Sequence, residues 1–150
     1  MKKVLSIILC LALIICILPI CSTTYAATPN IQGQSYYYLS MSKALDDINK
    51  TTVGRYAIPE RNASIAKLKV IPVKKGYEIY LVKNFTETNV ITVNTSKRIL
   101  VQFENYVLRS NGVAFDIING DLTFCAKGPG GIVALGPQKT RCVQLRSGSL

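Results

Sequence analysis

Two segments of the sequence match position by position: Ala114-Phe-Asp-Ile-Ile-Asn-Gly-Asp-Leu122 and Cys142-Val-Gln-Leu-Arg-Ser-Gly-Ser-Leu150. Each alternates apolar and polar residues, then has a turn that contains glycine, and then begins a new strand at leucine. Ile117 and Leu145 hold the same position in the two segments, and Val93 precedes Ile117 by a slightly shorter interval in a fainter copy. Unequal periods with matching apolar positions are typical of a solenoid, whose windings tolerate insertions at their corners.

The repeat predicts a mainly β fold in which successive windings bury one shared column of side chains. The pattern leaves an antiparallel β-sandwich open as the alternative. We expect strands at 78–83, 89–94, 98–103, 106–109, 113–118, 121–125, 131–135 and 141–146. The stretch 51–76 contains two glycines and two prolines and is ambiguous, with short strands at 55–58 and 66–70 as the alternative to irregular chain. The side chains expected to point inward are those of Ile91, Val93, Ile99, Val101, Phe115, Ile117, Leu122, Phe124, Val133, Leu135, Val143 and Leu145.

One short amphipathic helix is predicted between Ser40 and Lys50, with Ser40 or Ser42 as its N-cap. Asp46 and Asp47 fall opposite its apolar face and are expected to be solvated. The preceding run of three tyrosines, 36–38, is expected to form an edge strand with half of its rings in the core, although tyrosine rings can also stack on sugars. The residues that define the apolar face are Met41, Ala44, Leu45 and Ile48.

The N-terminal segment 1–26 has the order of a secretory signal peptide: a basic start, an apolar stretch to Ile20 and small residues before a cleavage site after Ala26. The alternative is a lipoprotein signal at Cys21, where the bulky Ile20 is unfavourable. We therefore expect a signal peptide at 1–26, a linker at 27–35 and one domain at 36–150. The expected location is secreted, extracellular or at the cell surface.

Charge and cysteines add two further expectations. The chain has a formal net charge of +10, which becomes +8 once Lys2 and Lys3 leave with the signal peptide. This charge either attracts an anionic partner, such as a wall polymer, an acidic glycan or a membrane surface, or only keeps the protein soluble. Scattered cations without a basic helical face do not favour nucleic acid. Cys125 and Cys142 would remain as the two cysteines of an exported chain, either as a disulfide or as two separate thiols.

Most catalytic chemistry has no candidate residues here. The chain has no histidine, which excludes Ser-His-Asp triads, Cys-His dyads and histidine-ligated zinc. The stretch Gly128-Pro-Gly-Gly131 lacks the Lys-Ser/Thr of a phosphate-binding loop and is interpreted as a corner between windings. Asp116 and Asp121 are the one acidic pair expected to be neighbours on a winding, too few for a calcium site. We expect no cofactor and no catalytic residue, and the pattern favours a non-enzyme.

Four segments carry a family resemblance: Leu39-Ser-Met-Ser-Lys-Ala-Leu-Asp-Asp-Ile48, Gly76-Tyr-Glu-Ile-Tyr-Leu-Val-Lys-Asn-Phe-Thr86, Val90-Ile-Thr-Val-Asn-Thr-Ser-Lys-Arg-Ile-Leu-Val101 and Glu104-Asn-Tyr-Val-Leu108. Together they resemble the first coils of pectin-lyase-like domains in secreted and cell-surface proteins of Gram-positive bacteria, over about residues 36 to 150. The resemblance implies a right-handed parallel β-helix whose first coil is capped by a short helix. Related enzymes hold Ca²⁺ with clustered aspartates while cleaving acidic polysaccharides, so a cofactor is expected only if the chain is such an enzyme.

The resulting hypothesis is a non-catalytic β-solenoid module for glycan or wall-polymer binding or adhesion. Two alternatives stay open: a remnant of a polysaccharide lyase or hydrolase, and a truncated precursor, since the repeat stops where a new strand has begun. Self-association through that exposed C-terminal coil is a further expectation, and no stable membrane span is expected after signal cleavage. The residues predicted to attract an acidic polymer are Lys97, Arg98, Arg109, Lys127, Lys139, Arg141 and Arg146.

Overall fold

The computed structural model describes residues 32–136 and 142–149. The signal peptide, most of the linker, and the cations Lys139 and Arg141 lie outside these ranges. The helices are α1 (Met41–Asn49) and a 3₁₀ helix (Glu60–Ile65). The strands are β1 (Tyr36–Tyr38), β2 (Leu68–Val73), β3 (Gly76–Leu81), β4 (Phe85–Glu87), β5 (Ile91–Gln102), β6 (Val107–Ser110), β7 (Phe115–Cys125), β8 (Gly131–Ala134) and β9 (Val143–Leu145).

From β3 onward, successive strands alternate between two sheets. One sheet has the order β1-β2-β3-β5-β7-β9, and the other has the order β4-β6-β8. Only β1, β2 and β3 pair antiparallel; the later pairs in both sheets are parallel. The fold is therefore mainly β with one mixed sheet, and the alternative expectation of an antiparallel sandwich is wrong for the described residues.

The sequence repeat corresponds to the register of the strands. Ile117 lies beside Leu145 and Val93 lies beside Ile117, as their equivalent positions in the repeat predicted. A further bridge joins Asp121 to Ser149 at the end of the matched segments. In a parallel sheet, in-register neighbours put equivalent side chains on one face, which explains why the apolar positions recur.

Most of the predicted inward residues are buried, and three are not. Ile91, Val93, Ile99, Val101, Phe115, Ile117 and Leu122 are fully buried, while Phe124 and Val143 are partly buried against the core. Val133 and Leu135 are 41% and 49% exposed, so these assignments were wrong. In β8 it is Ile132 that lies beside the buried Leu108, so Ile132 points to the core side of the sheet. Val133 is the next residue along the strand and therefore points to the opposite side. Leu145 faces inward beside Ile117 but is 47% exposed, because β9 is the outermost described strand of its sheet.

The observed strands differ from the predicted ones in number as well as in their limits. The pairs predicted at 89–94 and 98–103, and at 113–118 and 121–125, are each one continuous strand with an irregularity in the middle. Strand β4 was not predicted. The strand expected at 55–58 is absent, and Ile58 makes only a single bridge to Tyr37.

The predicted helix and the tyrosine edge strand are confirmed. Helix α1 begins after Ser40, whose hydroxyl accepts a hydrogen bond from the Lys43 N–H at 3.4 Å. At the other end, the Asn49 amide donates to the Thr92 carbonyl at 3.1 Å and accepts from the Asn94 N–H at 3.0 Å. The helix thus covers the first part of β5, residues 91–94, which β3 does not pair with. Tyr36 and Tyr38 are buried and Tyr37 is not, as expected for an edge strand.

The expectation of a solvated Asp47 was wrong. Asp47 is fully buried, and its Oδ2 accepts hydrogen bonds from the Tyr38 hydroxyl at 3.0 Å and the Tyr56 N–H at 2.9 Å. The Tyr38 oxygen in turn accepts from the Gly54 N–H at 2.9 Å. The Asp47 side chain therefore links the turn after α1 to strand β1 by hydrogen bonds. This role depends on residues outside the helix.

Cys125 and Cys142 are both free thiols, which corresponds to the alternative of two separate thiols and not to a disulfide. Cys142 lies beside Ala114, at the beginning of β7, where its carbonyl accepts from the Ala114 N–H at 3.0 Å. Cys125 is at the other end of this eleven-residue strand. A strand rises about 3.3 Å per residue and bridged Cα atoms lie within about 7 Å of each other, so the two ends of β7 are too far apart for a disulfide.

Candidate functional site

A two-residue turn places Lys74 and Lys75 at one end of the larger sheet. Val73 pairs with Gly76 across this turn, so β2 and β3 form a tight hairpin. Gly76 is also beside Arg98 of β5, and a Cβ at position 76 would collide with the Arg98 carbonyl oxygen. The absence of a side chain at Gly76 therefore lets the hairpin turn and β5 approach each other closely.

Strand β5 bulges at this same end. Between Asn94 and Arg98 it has three residues, Thr95-Ser-Lys97, where β7 has only Gly120 between Asn119 and Asp121. Thr95 is buried, and its hydroxyl accepts a hydrogen bond from the Lys97 N–H at 3.2 Å. The bulge bends the strand and turns Lys97 outward toward the hairpin turn, as bulges commonly re-aim a side chain.

Turn and bulge together form a group of four cations, which we call the basic edge: Lys74, Lys75, Lys97 and Arg98. Lys74 and Lys97 line a cleft of about 410 Å³, the lysine cleft, whose other walls are Gln32, Thr51, Pro72, Val73, Gly76 and Tyr77. Lys75 and Arg98 line a smaller one of about 170 Å³, the arginine cleft, with Glu78 and Leu100. The basic edge thus presents one pair of cations in each of two adjacent clefts.

Acidic side chains compensate little of this charge. Arg98 lies 3.9 Å from the Asp121 carboxylate, with both side chains more than half exposed, and such pairs are weak in water. Among the described residues, Lys74, Lys75 and Lys97 take part in no ion pair. Glu78 accepts a hydrogen bond from the Tyr80 hydroxyl at 2.7 Å, which raises the pKa of Tyr80 to about 12. The site is therefore a region of net positive potential.

The five predicted cations that the structure describes do not all come together. Lys97 and Arg98 belong to the basic edge, whereas Arg109 is exposed on β6 of the other sheet. Arg146 forms a two-pronged ion pair with Asp116 at 2.9 and 2.8 Å, and Lys127 lies 3.9 Å from Glu104. Lys139 and Arg141 are in the part of the chain that is not described.

Sequence reasoning missed Lys74 and Lys75. They stand immediately before Gly76, between the apolar runs that become β2 and β3, and this position indicates a hairpin turn. Interpreting the stretch as ambiguous concealed that signal. Their proximity to Lys97 could not be predicted, because it depends on the pairing of β3 with β5.

The acidic residues that the structure describes do not form a cluster. Asp116 and Asp121 each lie beside an arginine, and no group of three or more potential metal ligands exists within residues 32–136 and 142–149. Glu87 is buried, but it is engaged by helix α1: its Oε1 accepts from the Ser40 and Ser42 hydroxyls at 2.8 Å each, and its Oε2 from the Met41 N–H at 3.0 Å. Glu87 thus supplies hydrogen-bond acceptors to the N-terminus of helix α1.

Comparison with known proteins supplies no relative. No family model matches the chain, and neither a curated protein nor a solved structure does. None of the helices in the described ranges has the length and apolar character needed to cross a membrane.

Proposed function

We propose that this chain is a secreted or cell-surface, non-catalytic module with a right-handed parallel β-helix of the pectin-lyase-like class, and that its basic edge binds an acidic glycan or cell-wall polymer. Support for the architecture comes from seven strands, β3 to β9, that alternate between two sheets in parallel register. Parallel strands joined by a crossover connection are right-handed in about 98% of cases, which favours the right-handed form.

The basic edge is the observation that carries the binding proposal. Four cations from two segments separated in sequence converge on the same end of one sheet, and two carboxylates, those of Asp121 and Glu78, offset only part of their charge. Like charges placed together repel one another, and a bound anion relieves this repulsion. A polymer with repeated carboxylate or phosphate groups can bind both clefts at once. Its affinity is then higher than that of either contact alone, because the second contact is made within the same complex.

Binding by this mechanism depends on salt. Exposed charges attract one another over roughly 10 Å at 0.1 M salt and over much less at higher ionic strength. We expect affinity for polygalacturonate or poly(glycerol phosphate) to fall steeply between low and moderate salt. Binding that does not change with salt would contradict the proposal.

Charge-matched variants test the location of the site. The first removes the basic edge (Lys74→Gln, Lys75→Gln, Lys97→Gln and Arg98→Gln), and the second removes four cations elsewhere (Arg61→Gln, Lys83→Gln, Arg109→Gln and Lys127→Gln). Biolayer interferometry on the immobilised polymer should show an affinity loss of about tenfold or more for the first variant and about threefold or less for the second. Equal losses would show that net charge, and not the basic edge, controls binding.

A further inference from the structure

Within the proposed polymer-binding function, on which this inference rests, we propose that the lysine cleft holds one anionic sugar unit: a single sugar ring that carries a carboxylate or a phosphate. The arginine cleft and the rest of the surface contribute only general attraction. The function proposed above requires a positive surface, whereas the lysine cleft adds a place where one unit of the polymer is recognised.

The lining of the lysine cleft matches the chemistry of such a unit. A charged sugar presents an anionic group, several hydroxyls and an apolar ring face. Lys74 and Lys97 supply two cations, Thr51 and Gln32 supply hydrogen-bonding groups, and Val73, which is 37% exposed, supplies apolar surface. The volume of about 410 Å³ is at the lower end of the range found for small-molecule sites, and the arginine cleft at about 170 Å³ falls below it.

The arrangement that forms the lysine cleft at β5 is not repeated at the equivalent positions of the following strands. In β7 the position opposite the β5 bulge is Gly120, and Gly148 follows the same pattern one repeat later, so neither neighbour presents a lysine there. Gly148 has a φ of +102° and sits against Gly120, where a Cβ would collide with the Gly120 backbone. Because the three-residue segment that carries Lys97 is present in β5 and is matched by a single glycine in β7, the geometry favours recognition of one unit and not of a repeating row.

The backbone is constrained at two positions of the cleft, Lys97 and Thr51, before any ligand binds. The hydrogen bond from the Lys97 N–H to the buried Thr95 hydroxyl fixes the backbone that carries Lys97. Thr51 has a φ of +54°, in the left-handed region that a β-branched residue rarely adopts. Its hydroxyl donates to the Lys50 carbonyl at 2.7 Å, which leaves the oxygen's acceptor capacity for a sugar hydroxyl.

The test is a titration of the ¹⁵N-labelled protein, followed by NMR, with galacturonic acid, glucose 6-phosphate and glucose at matched ionic strength. We expect one or both anionic sugars to shift the amide signals of Thr51, Lys74, Tyr77 and Lys97, and glucose to bind about tenfold more weakly or not at all. The two anionic sugars separate a carboxylate source from a phosphate source. Lys74→Gln/Lys97→Gln should weaken binding about tenfold, whereas Lys75→Gln/Arg98→Gln should change it less than about threefold.

The outcomes separate this inference from the proposed function. If polygalacturonate or poly(glycerol phosphate) binds through the basic edge but neither anionic sugar shifts the cleft signals, the single-unit site is refuted and the polymer-binding function stands. If the sugars bind the cleft but neither polymer binds the protein, the polymer-binding function is refuted. If both double variants weaken sugar binding equally, the assignment to the lysine cleft is overturned.

Discussion

Asp47 is the buried residue whose ionisation opposes folding. Burial raises the pKa of Asp47 above its ordinary value of 3.8, and the hydrogen bonds donated by the Tyr56 N–H and the Tyr38 hydroxyl offset this only in part. One of its carboxylate oxygens, Oδ1, is buried without a hydrogen-bond partner. An unpaired anionic oxygen in the interior is costly, which is the physical reason that the neutral form is favoured there.

This raised pKa predicts a pH-dependent effect of Asp47→Asn. The folded protein holds the Asp47 proton more tightly than the unfolded chain does, so this stabilisation is complete below the ordinary pKa and is lost as the pH rises through the raised one. Asparagine stays neutral and can accept the same two hydrogen bonds. Relative to the unmodified protein, the variant should therefore be more stable at about pH 7 than at about pH 3, as measured by urea denaturation. A stability difference that is identical at both pH values would contradict the prediction.

Helix α1 depends on strand β4 for its N-terminus. A helix begins with N–H groups that have no partner within the helix, and a carboxylate at this end is favourable. Ser40 caps α1 from its own segment, while Glu87 reaches the same end from β4 and accepts hydrogen bonds from Ser40, Met41 and Ser42. The three-residue strand β4 thereby fixes where α1 lies against β5.

Glu87→Gln should measurably destabilise the protein. The substitution keeps the shape of the side chain but removes the negative charge and one of two acceptor oxygens, at an expected cost of about 1–3 kcal/mol of unfolding free energy. Glu60→Gln makes the same chemical change at an exposed position and serves as the control, with an expected effect within about 0.5 kcal/mol. Chemical denaturation measures both. Equal effects would mean that Glu87 does not anchor the helix.

The molecule as a whole has two different ends. At one, the antiparallel strands β1 and β2 and helix α1 cover the first parallel strands. At the other, β9 is the outermost strand of its sheet, and β8 is the outermost of the other. Ile117 in β7 is fully buried, whereas Leu145, beside it in β9 and on the same face, is 47% exposed. Packing within the described residues therefore weakens toward β9.

A matched pair of truncations tests this gradient. Ile117→Ala removes fully buried methyl groups and should reduce the unfolding free energy by about 2–5 kcal/mol. Leu145→Ala, at the equivalent position of the next repeat, should cost about 1 kcal/mol or less, because less apolar surface leaves water there. Thermal unfolding of both variants measures the difference. A large cost at Leu145 would show that another segment or a second copy covers β9, as the expected self-association requires.

Much of the strand framework could be predicted because it follows from local alternation. Residues 91–94 and 115–117 alternate apolar and polar side chains, and the repeat by itself aligned Val93, Ile117 and Leu145 correctly. Strand β4 has only three residues and an inward carboxylate, so no alternation indicates it. In β8 the run Gly131-Ile-Val-Ala-Leu135 is nearly all apolar, and therefore nothing local distinguishes Ile132 from Val133.

The amino-acid sequence by itself determined the helix, the repeat and the net positive charge, because each of these is a local or additive property. The gathering of Lys74 and Lys75 with Lys97 and Arg98 was decided by the register of β3 on β5 and by one irregularity in β5. Asp47 likewise became a buried residue only because Tyr38 and Tyr56 surround it. Pairing between strands acts over distances in sequence that no local pattern records, and it is this pairing that creates the basic edge.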